Sequence, residues 1–579
     1  MGCAVFTPRE RRYGRCSASV LVAMADADMS SPSAWRALKG LAQPHAAGFL
    51  GARYAFMRGL GVIFFSAFYS YAYQIQGLIG PSGISPAVNT LSAAREHLES
   101  PARYFEVPTI FWLIGAGRSA LWFAVATGLV CSVLLIANVA PRLCVGACTA
   151  LFLSVISVSG VFSSYQSDGM LLEAGFISVF FAPRGVFPGV GVASPPARIA
   201  RFMLLWEWFR IYFESGVVKL ASGDPQWQDL TALDHYYENG PLPTWVGWYV
   251  QHLPHAFHAI TAATILLIEL VVVWAAFLPR RFRAWLFVLV TTLQIGIILT
   301  ANYAFLNYLV LLLGVLLLDD VTLRRLLATV RWRAEWLALR VTCVSEPLGA
   351  IAQRLQLVAR RWARRAIGAI GPRRVPRTRP LFGYVQLGVL GIAFYATLLS
   401  FPLVQGRGLP AILSWPVTLF EPFRFANAYG LFAVMTRERF EIEFQGTLDG
   451  ETYTPYPFRY KPQETTKAPG IYAPYQPRFE WNLWFASLDN QRRNQWVLRT
   501  AAALLRAEPD VLELFAFDPF KGARPVEVRT VAYRYWFSTL EEHRKRGLYW
   551  RRELLGAYAP ALGWTKAGTI AQVGQSSAE

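Results

Sequence analysis

Long apolar runs broken by short basic turns fill the first two-thirds of the chain, and a mixed, turn-rich stretch fills the last third. A helix needs about 20 mostly apolar residues to cross the hydrocarbon of a bilayer. Runs of this kind are Gly59–Gly80, Ser119–Ala140, Leu143–Phe162, Asp168–Pro183, Ile199–Leu220, Ala256–Leu278, Arg283–Asn302, Tyr303–Leu318 and Gly383–Pro402. The fourth and eighth are short, which tilt or shielding by neighbouring helices would accommodate. After Trp415 the period changes. Arg439–Phe444 (RFEIEF) and Val526–Ser538 (VEVRTVAYRYWFS) alternate as half-buried strands do, and Trp550–Tyr558 does so more weakly. Asp449 and Gly450 mark a turn, and Trp496–Ala507 and Pro509–Ala516 read as short helices. The pattern predicts a polytopic α-helical membrane protein of about nine transmembrane helices with a C-terminal α+β extramembrane domain.

Charge orients this arrangement. Only 16% of the residues are charged, yet the net charge is +19. Fourteen arginines lie between Val321 and Pro380, where Glu335 and Glu346 are the only acids. Basic residues mark cytoplasmic loops, and Arg53, Arg58, Arg142, Arg184, Arg198, Arg201, Arg280, Arg281 and Arg283 all fall on one side if the N-terminus is cytoplasmic. Arg95, Arg103 and Arg118 are exceptions in a longer loop that also holds Glu96, Glu99 and Glu106. The far side then receives Pro81–Arg118, Ala221–His255 and everything after Phe401. The expected divisions are a cytoplasmic tail (1–52), a helical transmembrane domain (53–320), a basic cytoplasmic linker (321–380), a last transmembrane helix (381–403), an extracytoplasmic domain (404–562) and a disordered tail (563–579). Within the linker, Leu323–Leu339 and Ile351–Ile367 carry arginines and aliphatics at helical spacing, as interfacial helices do. The positive charge belongs to lipid headgroups; no groove-reading or base-stacking module accompanies it, which excludes nucleic acid as a partner.

Chemically distinctive residues cluster toward the far side. Asp168 and Glu173 stand at the mouth of a span, where charges are costly and are paired or functional. Arg210, Glu214 and Lys219 descend one helix, with Arg210 and Glu214 one turn apart, and His235 follows in the loop. His252, His255 and His258 have metal-like spacing, but Pro254 breaks the helix that would align them, so no metal site is predicted. No cofactor is implied. The cysteines Cys3, Cys16, Cys131, Cys144, Cys148 and Cys343 all lie outside the far-side segments, which excludes disulfide exchange there. Cys144 and Cys148, one turn apart in an apolar run, read as small buried residues.

The order of blocks resembles the lipase maturation factor family from about Arg53 to Pro560. The most specific stretches are GDPQWQDLTALDHYYENGPLP (Gly223–Pro243), NAYGLF (Asn427–Phe432) with TRERFEIEFQGT (Thr436–Thr447), and PRFEWNLWFA (Pro477–Ala486). Eukaryotic members of that family reside in the endoplasmic reticulum membrane and support lipase folding, for which their C-terminal region is required. The resemblance therefore implies membrane lipid and an exported client protein, a lipase in those members, as partners. It places a client-facing surface on Trp415–Pro560 and Ala221–His255. Candidate client-binding residues are Trp227, Asp229, Asp234, Tyr236, Tyr429, Arg437, Arg439, Arg478, Trp481, Trp484, Tyr535 and Trp536, although most of the aromatics fit the domain's own core equally well. The Ala- and Arg-rich, short-looped sequence has a bacterial character, which would make the membrane the inner one.

A shorter stretch, Ser215–Leu220 (SGVVKL), is similar to the segment of vitamin K-dependent carboxylases that carries their catalytic lysine. That likeness implies Lys219 as a base, with Arg210, Glu214, Asp168, Glu173 and His235 around it, in an enzyme acting on a lipid or quinone-linked substrate. The opposing reading is an ion-paired lysine closing a helix C-terminus, where a cation suits the dipole. Transport lacks support, since neither paired broken helices nor an internal repeat is evident.

Overall fold

A computed structural model of the chain describes residues 48–326, 328, 380–401 and 410–573. Most of the linker, with its two expected interfacial helices, lies outside the described residues, as does nearly all of the N-terminal tail.

The helices that match the apolar runs are α1 (Leu50–Ile79), α2 (Arg118–Ile136), α3 (Pro141–Ser157), α4 (Gln166–Phe181), α5 (Arg198–Ala221), α6 (His255–Leu270), α7 (Arg280–Thr300), α8 (Leu306–Gly314) and α9 (Pro380–Leu399). Their starts have local causes. The first amides of α1, on Leu50 and Gly51, donate to the two carboxylate oxygens of Asp320 at 3.0 and 2.8 Å; a carboxylate suits a helix N-terminus electrostatically. Pro141 opens α3 at a position where the missing N–H costs nothing.

By length and apolar composition, three of the described helical spans suffice to cross a membrane: Arg118–Ile136, His255–Phe277 and Arg280–Thr300. A fourth arises if the bent pair Leu306–Leu317 and Asp320–Leu326 is one span. The remaining helices fall short of that simple criterion for physical reasons. Helices α4 and α8 have 16 and 9 residues. Helices α1 and α5 are long but bury polar and charged side chains against their neighbours, among them Arg53, Gln74, Glu207 and Arg210.

The C-terminal region carries one five-stranded antiparallel sheet of order β2-β1-β3-β4-β5. Its strands are β1 (Arg439–Thr447), β2 (Thr454–Pro455), β3 (Glu527–Phe537), β4 (Trp550–Trp564) and β5 (Ile570–Gln572). The alternation seen in RFEIEF has a cause in packing. Ile442 and Phe444 are fully buried on one side of β1, while Glu441 and Glu443 are buried among polar partners on the other. Strand β4 runs well beyond Tyr558 and returns through β5, so the tail expected from 563 is sheet as far as Gln572. Helix α10 (Arg478–Ser487) and helices Gln495–Leu505 and Pro509–Leu512 complete the unit. Fully buried Phe515 anchors its aromatic core, with Phe444, Tyr456 and Phe479 at ring distances of 6.0, 5.5 and 5.1 Å.

The C-terminal region is fastened into one end of the helical bundle by more than α9, with Asn302 as one fastening. Its side-chain oxygen accepts from the amides of Tyr472 and Ala473 at 2.7 and 3.0 Å, and its Nδ2 donates to Gly470 O at 2.9 Å. On α1, Ser66 donates to Pro474 O at 2.8 Å and Gln74 to Gln476 O at 2.9 Å. Gly77 of α1 makes such contact possible, because a Cβ there would collide with the backbone carbonyl of Asp510.

Candidate functional site

Three buried arginines form the junction between the bundle and the C-terminal region. Arg478, at the start of α10, reaches back to α4. Its Nη1 and Nη2 each donate to one oxygen of Asp168 at 2.8 Å, and Nη1 also donates to Phe162 O at 2.8 Å. Its guanidinium lies 4.3 Å from the centre of the Tyr71 ring. Both partners of this pair are wholly shielded from solvent, where a planar fork on a carboxylate is the geometry that best compensates desolvation.

The second arginine, Arg210 of α5, pairs with Glu173 of α4 and donates to Asn427 O. Glu214, one turn along α5, stands 3.8 Å away. The same carboxylates hold the NAYGLF segment. Tyr429 Oη donates to Glu173 Oε2 at 2.9 Å, Tyr429 N donates to Glu214 Oε2 at 2.6 Å, and Asn427 Nδ2 donates to Glu173 Oε2 at 3.1 Å. Gly169 permits this fit, because a Cβ there would sit 2.7 Å from Asn427 Oδ1. The third, Arg439 of β1, donates to the carbonyls of Glu238, Gly240 and Pro241 in the 221–255 loop and to Glu441.

That loop is clasped to the segment after NAYGLF. Trp227 Nε1 donates to Phe432 O at 2.9 Å, Gln226 to Met435 O at 2.7 Å and Asn239 to Thr436 O at 2.7 Å, while Asp224 accepts from Met435 N at 2.7 Å. The two stretches that stand out in the sequence are thus one structure, each satisfying the other's buried polar groups.

Lys219 lies close to the clasp. Its Nζ bonds both oxygens of Glu269 on α6, at 2.9 and 2.8 Å, and sits 5.2 Å from the centre of the Trp227 ring. The two contacts engage its donors with a single buried carboxylate.

The other anticipated residues divide by exposure. Trp227, Tyr236, Tyr429, Arg439, Arg478, Trp481 and Tyr535 are buried; Asp234, Trp484 and Trp536 are partly exposed; Asp229, His235 and Arg437 face solvent. The buried group, as folded, holds the protein together and offers a partner little surface. Of the six residues weighed as catalytic, Asp168, Glu173, Arg210 and Glu214 meet at the junction, Lys219 is paired apart from them, and His235 lies outside it, 3.5 Å from Glu238. The Glu238 carboxylate, through that contact, raises the His235 imidazole above its ordinary value. The three spaced histidines diverge: His252 lies between Trp248 O and Ser538 O, His255 meets Asp234, and His258 meets Leu253 O. Arg118, one of the basic exceptions in the 81–118 loop, pairs with Asp510.

Sequence reasoning missed Glu269 and Glu207. Each is an acid inside an apolar run, which is itself the signal to look for a function or a partner. Glu207 is fully buried, with neither carboxyl oxygen hydrogen-bonded among the described residues.

This architecture has known relatives. A family model described as the lipase maturation factor transmembrane domain matches residues 51–325, and one described as the lipase maturation factor C-terminal domain matches residues 425–560. The two boundaries bracket the two regions that the buried arginines join. Lipase maturation factor 1 of Bos taurus is 30% identical, with 92% of this chain and 92% of the relative covered. Lipase maturation factor 1 of Homo sapiens is 31% identical over 90% and 89% of the two chains, and lipase maturation factor 2 of Gallus gallus is 30% identical over 90% and 83%. No solved structure matches the chain. With apolar helices long enough to span a bilayer and likeness along nearly its whole length, the chain is an integral membrane protein that belongs to the lipase maturation factor family.

Proposed function

We propose that this protein holds a partly folded exported client, of which a lipase is the leading case, on the C-terminal sheet while the client matures. The relatives' name supports a lipase client. The placement of basic residues along the sequence supports a topology of about nine spans with the N-terminus cytoplasmic and the C-terminal region outside the cytoplasm. The buried arginine junction ties the C-terminal region to the helical bundle, which supports a client platform held close to the membrane.

The observation that carries the reading is the free edge of β4. Strand β3 pairs along one edge of β4, and β5 covers only Leu562–Trp564 of the other, so among the described residues no strand pairs with 551–560 on that outer edge. Leu554 and Leu555 on this stretch are 58% and 53% exposed. Beside it a hollow of about 530 Å³ is lined by Phe440, Ile442, Ala532 and Ala557 together with Ser487 and the polar 489–492 turn. An unpaired strand edge is a template for an extended polypeptide, with backbone hydrogen bonds giving affinity and an adjacent hollow of mixed apolar and polar lining taking a side chain. A client not yet folded has such segments to offer.

The test is the double variant Leu554→Lys, Leu555→Lys in full-length protein. Both side chains are exposed, so the fold is kept. Secretion of active lipase is expected to fall several-fold at unchanged levels of the variant; full secretion would sink the reading.

A further inference from the structure

One face of α1 changes character along its length. Val62, Tyr69 and Tyr73 are seven and four residues apart, which places them on one helical side. All three are exposed, Tyr73 to 65%. Phe65 stacks on Tyr69 with ring centres 6.0 Å apart. The stripe passes from aliphatic to tyrosine toward the far end of the helix, as a lipid-facing surface does where acyl chains give way to headgroups.

At the level of these tyrosines the C-terminal region closes a cleft of about 690 Å³ against α1. Tyr475 and Tyr460 continue the series of rings: Tyr73 to Tyr69 is 5.0 Å, Tyr69 to Tyr475 is 6.0 Å, and Tyr475 to Tyr460 is 5.6 Å between centres. Interplanar angles of 68°, 77° and 43° turn successive rings across one another, so they form a wall with corners and not a stack. Three charged residues line the same cleft: Glu480, Arg459 and Glu513. Glu480 is fixed by the backbone amides of Arg459, Tyr460 and Lys461 at 2.9, 2.9 and 2.6 Å. Arg459 is fixed by donation from Nε to Phe515 O and from Nη2 to Glu513 O, at 2.8 and 3.1 Å; its Nη1 makes no hydrogen bond among the described residues.

Electron-rich ring faces beside a carboxylate attract an ammonium group, and a guanidinium with a spare edge attracts phosphate. We propose that this cleft binds the headgroup of a zwitterionic phospholipid, its ammonium among the rings of Tyr69, Tyr73 and Tyr475, its phosphate on Arg459, and its acyl chains along Val62 and Phe65. The site is independent of the client-holding edge, which lies on another part of the C-terminal region. A soluble phosphocholine ester shares the ammonium–phosphate chemistry, and the acyl stripe favours the membrane lipid.

The test is native mass spectrometry of the full-length protein in detergent, titrated with phosphatidylcholine, phosphatidylethanolamine or phosphatidylglycerol, with glycerophosphocholine as a competitor. The two zwitterionic lipids are expected to bind about tenfold more tightly than phosphatidylglycerol, and Tyr73→Leu to remove about that tenfold, the size of a partly desolvated cation–π contact. Tyr73 is largely exposed, so this variant keeps its fold; Arg459→Gln is expected to act in the same direction. Equal binding of phosphatidylglycerol, or unchanged affinity in Tyr73→Leu, would overturn the site. Displacement of the lipid by an equal concentration of glycerophosphocholine would overturn a membrane lipid as its ligand.

Discussion

Arg478 and Asp168, 310 positions apart in sequence, meet in a two-point ion pair with both side chains wholly buried. Removing one partner leaves an uncompensated buried charge, which costs roughly 3–5 kcal/mol. Arg478→Ala and Asp168→Ala are each expected to lower stability by about that amount in denaturant unfolding of the detergent-solubilised protein. Replacing both by apolar residues of similar size (Arg478→Met with Asp168→Leu) is expected to recover much of the loss. Single-variant losses near zero would show that the junction does not bind the two regions together.

The NAYGLF segment is held by shared acceptors, so its substitutions should be graded. Tyr429→Phe removes one donor from Glu173 Oε2 while Asn427 Nδ2 still serves that atom. It is expected to cost about 1 kcal/mol, a typical net hydrogen bond. Asn427→Leu removes that second donor and its bonds to Gly169 O and Arg424 O as well. It should cost more, about 2–3 kcal/mol. Equal losses in the same unfolding assay would contradict the network as drawn.

Lys219 invites a catalytic reading from its sequence context, and its pairing with Glu269 gives it a structural one. If the pair is structural, Lys219→Met alone destabilises by leaving Glu269 buried without a partner, about 3 kcal/mol. Adding Glu269→Leu then restores both folding and client maturation. A stable double variant that has lost maturation would return Lys219 to chemistry.

His235 supplies a pH dependence. Its imidazole is raised above the ordinary 6.5 chiefly by the hydrogen bond to Glu238, whose other oxygen accepts from Phe537 N at 3.0 Å. A raised histidine contributes stability that is fully present below the unfolded value and is lost as pH rises through the folded value. The far-side loop is therefore expected to be held less firmly against β3 on going from about pH 6 to 8. The effect is small because His235 is half exposed and screened. Hydrogen exchange at Phe537 should quicken over this range beyond the intrinsic pH effect, and His235→Gln should abolish the excess.

What the sequence made legible follows from local physics. Helix positions came from apolar runs, and β1 and β3 from alternation, because each pattern repeats within a few residues. The number of helices that cross the bilayer was less legible, since α1 and α5 are apolar enough to read as spans yet bury Arg53, Gln74, Glu207 and Arg210 against their neighbours. Arg478 and Arg439 looked like surface contacts because arginine usually is one; their partners, Asp168 and the 238–241 carbonyls, lie hundreds of residues away and no local pattern announces them. Trp550–Tyr558 looked weak as a strand because its outer edge is unpaired and Leu554 and Leu555 fall next to each other, where a bulge in register between β3 and β4 disturbs the alternation.

The central claim, that the free edge of β4 receives the client, is tested most directly by site-specific photocrosslinking. A photoreactive residue placed at Leu555 in the full-length protein, with an exported lipase made in the same cell, is expected to capture the lipase. The same residue at Leu562, where β5 covers the strand, is expected to capture none. Lipase maturation that proceeds normally with no adduct at Leu555, or with equal adducts at both positions, would contradict it.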